Sequence, residues 1–264
     1  MKNRPTFLKE LGELRLIFIR FAVLLFILAF ILLSTSFAWT NWMVFGTTKI
    51  PVLVFGTPSL STQLFTLMKA YLVPEGVSII TLGPLAPFLA PISVAFMVAF
   101  ILSFPYFLFS LARYIAPALY ERERRHLFAL FFSSVALFFF GCIFAQAILI
   151  PYTLTTLYSF AGPLGVAPLF SLDAFIGMIF GLTISSGIAF LAPIVMILLS
   201  SAGFVPAAFW RVHWRASALI VLAFSAIITP DGSGVTMVIL SVPLMFLYGV
   251  GAVGSFIYSK GNYY

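Results

Sequence analysis

The sequence predicts an all-α membrane protein with six transmembrane helices and both termini in the cytoplasm. Composition is the first reason. The 264 residues are 62% hydrophobic and 8% charged, with a mean hydropathy of +1.17, which leaves too little polar surface to cover a soluble domain. The second reason is where the charges are missing. Residues 85–112, 128–172, 174–210, 216–230 and 232–259 hold no Asp, Glu, Lys or Arg, and residues 16–32 hold only Arg20. About 20 apolar residues cross a hydrocarbon core of ~30 Å. Backbone in lipid must satisfy its own hydrogen bonds, so these runs are expected as helices.

Taken in order, the spans fall at roughly 16–38, 85–112, 127–152, 171–199, 213–228 and 235–258, forming one integral membrane domain without a separate soluble one. The Met1-Lys2-Asn3-Arg4 start is not followed by a short apolar core with a small-residue cleavage site, so it does not read as a removable signal. The fifth span has only 16 residues, about 24 Å at ~1.5 Å per residue, and implies local thinning or burial against neighbours. Pro151 and the 161–165 stretch Ala-Gly-Pro-Leu-Gly should break the long run that starts at 127. Pro105, Pro193 and Pro243 lie within spans two, four and six. Each removes one backbone bond, as either an ordinary bend or a kink that helps shape a groove. Asp173 reads as the N-cap of span four, and Asp231 or Ser233 as that of span six.

Orientation follows from the cations. Lys2, Arg4, Lys9, Arg15 and Arg20 precede or open span one, and Arg113, Arg122, Arg124 and Arg125 lie between spans two and three. Arg211 and Arg215 lie between spans four and five, and Lys260 follows span six. If the spans alternate, only Lys49 and Lys69 of the 14 basic residues fall on the other side. The positive-inside rule then places both termini and the 113–125 loop in the cytoplasm, with a cell inner membrane as the simplest home. The net charge of +7 follows from this bias. It calls for anionic lipid at the membrane surface rather than nucleic acid. Trp39, Trp42, Trp210 and Trp214 stand at span ends, as an interfacial belt would.

Little enzymatic chemistry is available. His126 and His213 sit at span ends, no His/Cys/Asp/Glu cluster has metal-ligand spacing, and there is no phosphate-cradling loop or nucleophile elbow. No cofactor is implied. A solute or ion-coupled transporter, the alternative reading, would place an acid or histidine near the midplane, and none lies in the middle third of a span. Cys142 reads as packing. Gln146, Thr183, Ser185, Ser186 and Ser225 are the polar groups at depth, suited to bonding between helices.

Of the seven acids, Glu75, Asp173 and Asp231 are expected outside, and Glu10, Glu13, Glu121 and Glu123 inside. Carboxylates on an arginine-rich face have two readings. One is local pairing that keeps a basic loop solvated, at ~0–1 kcal/mol per surface pair. The other is a docking point for a cationic peptide.

Three stretches carry a family resemblance. The loop Ile115-Ala-Pro-Ala-Leu-Tyr-Glu-Arg-Glu-Arg-Arg125 resembles the first cytoplasmic loop of TatC, the multispanning subunit of the twin-arginine protein translocase. Glu13-Leu14-Arg15 resembles the Glu-Leu-Arg ahead of that family's first span. Thr229-Pro230-Asp231 with Ser241-Val242-Pro243-Leu244-Met245 resembles its outer turn and sixth helix. The similarity runs from about residue 7 to 258, with the same span number and inferred orientation.

The resemblance implies a receptor rather than an enzyme, folded as a concave, cup-like bundle of kinked helices. Such a receptor binds the signal peptides of folded export substrates through their paired arginines, with export driven by the proton-motive force. Glu123 matches the loop glutamate that contacts those arginines, and Glu13 the contributing N-terminal one. Arg15, Arg124 and Arg125 match basic positions of the motif, and Tyr114 falls where the family has an aromatic beside the site. Implied partners are small single-span TatA- and TatB-type subunits, further copies of the chain, and membrane lipid. In span four, Leu191 stands where many relatives carry an acidic or amide residue, so Gln146, Ser185 or Ser186 would have to substitute in contacting a small subunit, with Asp231 a further contact at the outer turn. Ile17 replaces a second N-terminal arginine, and Glu10 stands where a histidine is common.

Overall fold

The computed structural model describes residues 4–41, 49–55, 58–73, 77–116, 127–164, 169–230 and 234–260. The chain opens with α1 (Arg4–Ser34), followed by β1 (Thr35–Asn41), β2 (Lys49–Phe55), α2 (Leu60–Leu72) and β3 (Ser78–Ile80). Then come α3 (Ala86–Ile115), α4 (Leu127–Phe144), a π-helical turn (Ala145–Leu149), α5 (Ile150–Ser159) and α6 (Ala161–Leu164). The remainder is β4 (Leu169–Ser171), α7 (Leu172–Ala189), α8 (Ala192–Ser201), α9 (Ala207–Val212), α10 (Trp214–Ile228) and α11 (Val235–Lys260). Among the described residues, five helical segments are long and apolar enough to span a membrane: Gly12–Ser34, Ala86–Ile115, Phe128–Ser159, Leu172–Ser201 and Val235–Ile257. The sixth, α10, has 15 residues. At ~1.5 Å per residue it covers about 22 Å, shorter than a hydrocarbon core.

Four local expectations change. Span one ends at Ser34 rather than 38, because residues 35–41 pair antiparallel with 49–55, Thr35 opposite Phe55 and Asn41 opposite Lys49. At that junction the Thr35 hydroxyl donates to the Ile31 carbonyl at 2.7 Å.

Pro151 does not break span three. The Ile150 N–H reaches back to the Ala145 carbonyl in a wider π-type turn, so the ladder passes the residue that has no donor and continues to Ser159.

Span four is where a proline interrupts. The ladder tightens at Leu191, whose N–H reaches the Ile188 carbonyl at 3.0 Å. The helix restarts at Ala192 with Pro193 in its first turn. Pro105 and Pro243, by contrast, sit inside continuous helices.

The cap of span four is Ser171, not Asp173. Ser171 Oγ accepts the Ala174 N–H at 3.3 Å, three residues on, and this places the Asp173 carboxylate in the first helical turn.

Contacts divide the chain into two compact units. In the unit of Phe18–Phe104 and Pro168–Phe180, small residues let α1 and α3 approach closely. Ala29, Leu32, Ala95 and Ala99 are buried together, flanked by edge-to-face pairs Phe21–Phe100 and Phe26–Phe96 at 5.6 and 5.4 Å. Parallel strands β3 and β4 and the Phe65–Phe175 pair belong to the same unit.

The other unit comprises Met1–Ile17, Pro105–Ala167 and Gly181–Tyr264. There α4 meets α7 where Gly141 and Gly187 remove the side chains that would hold them apart. Helices α8 and α11 meet across Gly251 and Gly254 against Pro193, Met196 and Ile197.

Candidate functional site

The N-terminal carboxylate comes first. Glu13 and Arg15 both lie in α1 and are exposed. Residues two apart on a helix point to nearly opposite faces, so Arg15 does not neutralise Glu13. An exposed carboxylate on an apolar helix end is suited to accepting a guanidinium from outside the chain. Tyr114 sits half-buried in the last turn of α3, beside exposed Arg113. The end of α3 and the start of α4 bracket the predicted recognition loop, and these segments share one compact unit with residues 1–17. Glu121, Glu123, Arg124 and Arg125 lie outside the described residues, as does Asp231.

At span depth, the polar residues form bonds between helices. Gln146 Nε2 donates to Thr183 Oγ1 at 2.9 Å, and the Cys142 thiol points at the Thr183 carbonyl at 3.8 Å. Ser186 Oγ donates to the Gly141 carbonyl at 3.0 Å. Thr183 and Ser186 are fully buried, as expected of groups that would otherwise face hydrocarbon. Leu191 is buried in the break between α7 and α8, where its carbonyl accepts the Ile194 and Val195 N–H groups. The chain therefore presents an apolar side chain at that position. Among the described residues, no three of His, Cys, Asp and Glu gather as a metal site.

One cluster was not singled out from the sequence. The α9–α10 elbow holds Arg211 and Arg215 with Phe209, Trp210, His213 and Trp214. Its signal was legible as two arginines in a long interval, 174–230, that contains no Asp or Glu.

Comparison with known proteins decides the family. The profile of the Sec-independent protein translocase protein (TatC) family matches residues 8–243. The chain belongs to the TatC family. A TatC from Cenarchaeum symbiosum is 35% identical over 193 residues, 73% of each chain. One from Aquifex aeolicus is 35% identical over 185 residues, 70% of this chain and 75% of that protein. A crystal structure of the twin arginine translocase receptor TatC superposes with a TM-score of 0.73 at 28% identity, covering 95% of this chain and 99% of that one. As a TatC family member the chain is a multi-pass membrane protein of protein transport, and the all-α architecture of apolar spanning helices expected from the sequence stands.

Proposed function

We propose that this TatC family member is the receptor and core subunit of a twin-arginine translocase. It works as a single integral membrane domain of the cell inner membrane, with its termini and the 117–126 loop in the cytoplasm. It binds the paired arginines of export signals through Glu123 and Glu13, and export is driven by the proton-motive force. The observation that carries the reading is the exposed Glu13 carboxylate, turned away from Arg15 and in the same compact unit as the helices bracketing Glu123. Two carboxylates meeting two guanidiniums give charge-assisted, bidentate contacts, which distinguish arginine from lysine. Arg15, Arg124 and Arg125 position these carboxylates and anchor the loop, and Tyr114 flanks the bound signal.

The partners are small single-span TatA- and TatB-type subunits and further copies of the chain. Gln146 uses its amide donor within the chain, which leaves its carbonyl oxygen as the polar group for a small subunit at this depth. Leu191, buried within the chain, offers no polar group there, and Asp231 supplies a contact at the outer turn.

Photo-crosslinking from residues 10–15 and 120–125 to a twin-arginine precursor tests the reading. The crosslink should disappear when the signal arginines become lysines, and persistence would overturn it. Glu123→Ala, and more weakly Glu13→Ala, should abolish export while the inserted amount of protein stays unchanged.

A further inference from the structure

We propose that the α9–α10 elbow is a binding site for the phosphodiester headgroup of an anionic glycerophospholipid. The inference stands apart from the signal-peptide reading and needs only that the chain spans a membrane. It begins with an unbalanced charge. Across residues 174–230 the only formally charged side chains are Arg211 and Arg215. Both are exposed, and among the described residues neither forms a salt bridge. Two guanidiniums without a counter-anion in their own segment take one from the surroundings, and the anion at the edge of an apolar span is lipid phosphate.

Their placement is specific. The Arg211 guanidinium carbon lies 5.9 Å from the ring centre of Phe256 on α11, and that of Arg215 lies 5.6 Å from the Trp214 ring. A guanidinium held over a ring keeps its N–H edge free for the fork geometry that matches phosphate oxygens.

The platform beneath them is tied down. Trp210 Nε1 donates to Ser200 Oγ at 2.8 Å, and the Tyr248 hydroxyl donates to the Trp210 carbonyl. Phe209 stacks on His213 at 4.1 Å. Trp214 remains 52% exposed, an amphipathic ring at the depth where headgroup meets acyl chain. A fixed platform lowers the ordering cost of binding, so the pair acts as a site rather than as two mobile surface charges.

The full chain is reconstituted in bilayers with Trp39→Phe and Trp42→Phe, so that Trp210 and Trp214 alone report. Quenching is then compared between brominated phosphatidylglycerol and brominated phosphatidylcholine. The anionic lipid should half-quench at a mole fraction lower by about thirty-fold, the factor that an attraction of ~1 kcal/mol for each of the two interfacial arginines gives. The R211Q/R215Q variant should lose that preference, R211K/R215K should keep part of it, and Arg113→Gln should keep all of it. Equal quenching by the two lipids in the chain that retains both arginines overturns the site, whether or not the glutamine variant inserts. An equal loss in Arg113→Gln would mean diffuse surface charge. Abolition by excess inorganic phosphate would make free anion the occupant. Either result also overturns the proposal.

Discussion

Gly141→Ala is a one-carbon change that should separate two helices. A Cβ at 141 would stand 2.8 Å from the Ser186 carbonyl oxygen, 2.9 Å from the Gly187 Cα and 2.9 Å from Phe190 Cγ. Ordinary carbon contacts lie near ~3.5–4.0 Å. Two of the three obstacles are backbone, and Phe190 is fully buried, so no side chain can swing aside. Relief requires α4 and α7 to part by on the order of 1 Å. Overpacking of this kind costs ~1–3 kcal/mol, and loosening the Ser186–Gly141 bond adds ~0.6 kcal/mol. Alanine returns up to ~1 kcal/mol of helix propensity. The net loss is therefore roughly 0.6–2.6 kcal/mol. Gly177→Ala on α7 is the internal control. Its Cβ would meet nothing within 4 Å, so only the propensity gain remains and the sign reverses. Reversible unfolding in mixed micelles titrated with dodecyl sulfate, followed by circular dichroism, measures both. A Gly141→Ala variant as stable as wild type would refute the close approach of α4 and α7.

Two further outcomes follow from the polar bonds. A double-mutant cycle of Gln146→Leu and Thr183→Val, read by the same unfolding, should give a coupling of about 0.6 kcal/mol and not above ~1.7 kcal/mol, the range for bonds between membrane helices. Ser171→Ala should cost ~1 kcal/mol through loss of the cap, whereas Asp173→Ala should cost only ~0.3–1 kcal/mol of dipole interaction. The reverse order would return the cap to Asp173.

The spans were legible because lipid imposes one rule on every residue in them, and 28 consecutive uncharged positions at 85–112 admit few other folds. What proline does inside a span was not legible. Pro151 and Pro193 remove the same donor, yet the first is absorbed by a wider turn and the second ends a helix. The difference lies in how the neighbouring turns reroute their carbonyls, which residue type does not encode. Thr155 and Thr153 near Pro151 also return hydroxyls to the Pro151 and Leu149 carbonyls at 2.9 and 2.7 Å. The β1–β2 hairpin was missed for another reason. Ile50-Pro-Val-Leu-Val-Phe55 is rich in β-branched and aromatic residues, but Pro51 argues against a strand, and a two-stranded ribbon tolerates it only because every strand in it is an edge. The bond from Gln146 to Thr183 joins positions 37 residues apart, a partnership that no local pattern announces.

The two basic segments that alternating spans would place on one side differ in one respect that bears on function. The 117–126 loop places Glu121 and Glu123 among Arg122, Arg124 and Arg125, whereas the 209–215 turn contains arginines and no acid. Cations next to carboxylates are locally neutralised, and an incoming arginine pair can exchange with them at little electrostatic cost. Unbalanced arginines repel the same pair and attract phosphate. Net charge alone would make both segments lipid anchors. In the functions proposed above, the position of the carboxylates separates them: the cationic signal goes to the loop with Glu123 and the anionic headgroup to the turn with Arg211 and Arg215. Moving an acid into the turn, as in Val212→Glu, should therefore weaken the preference for anionic lipid without creating a signal site, because a single carboxylate between Arg211 and Arg215 is neutralised by its own neighbours.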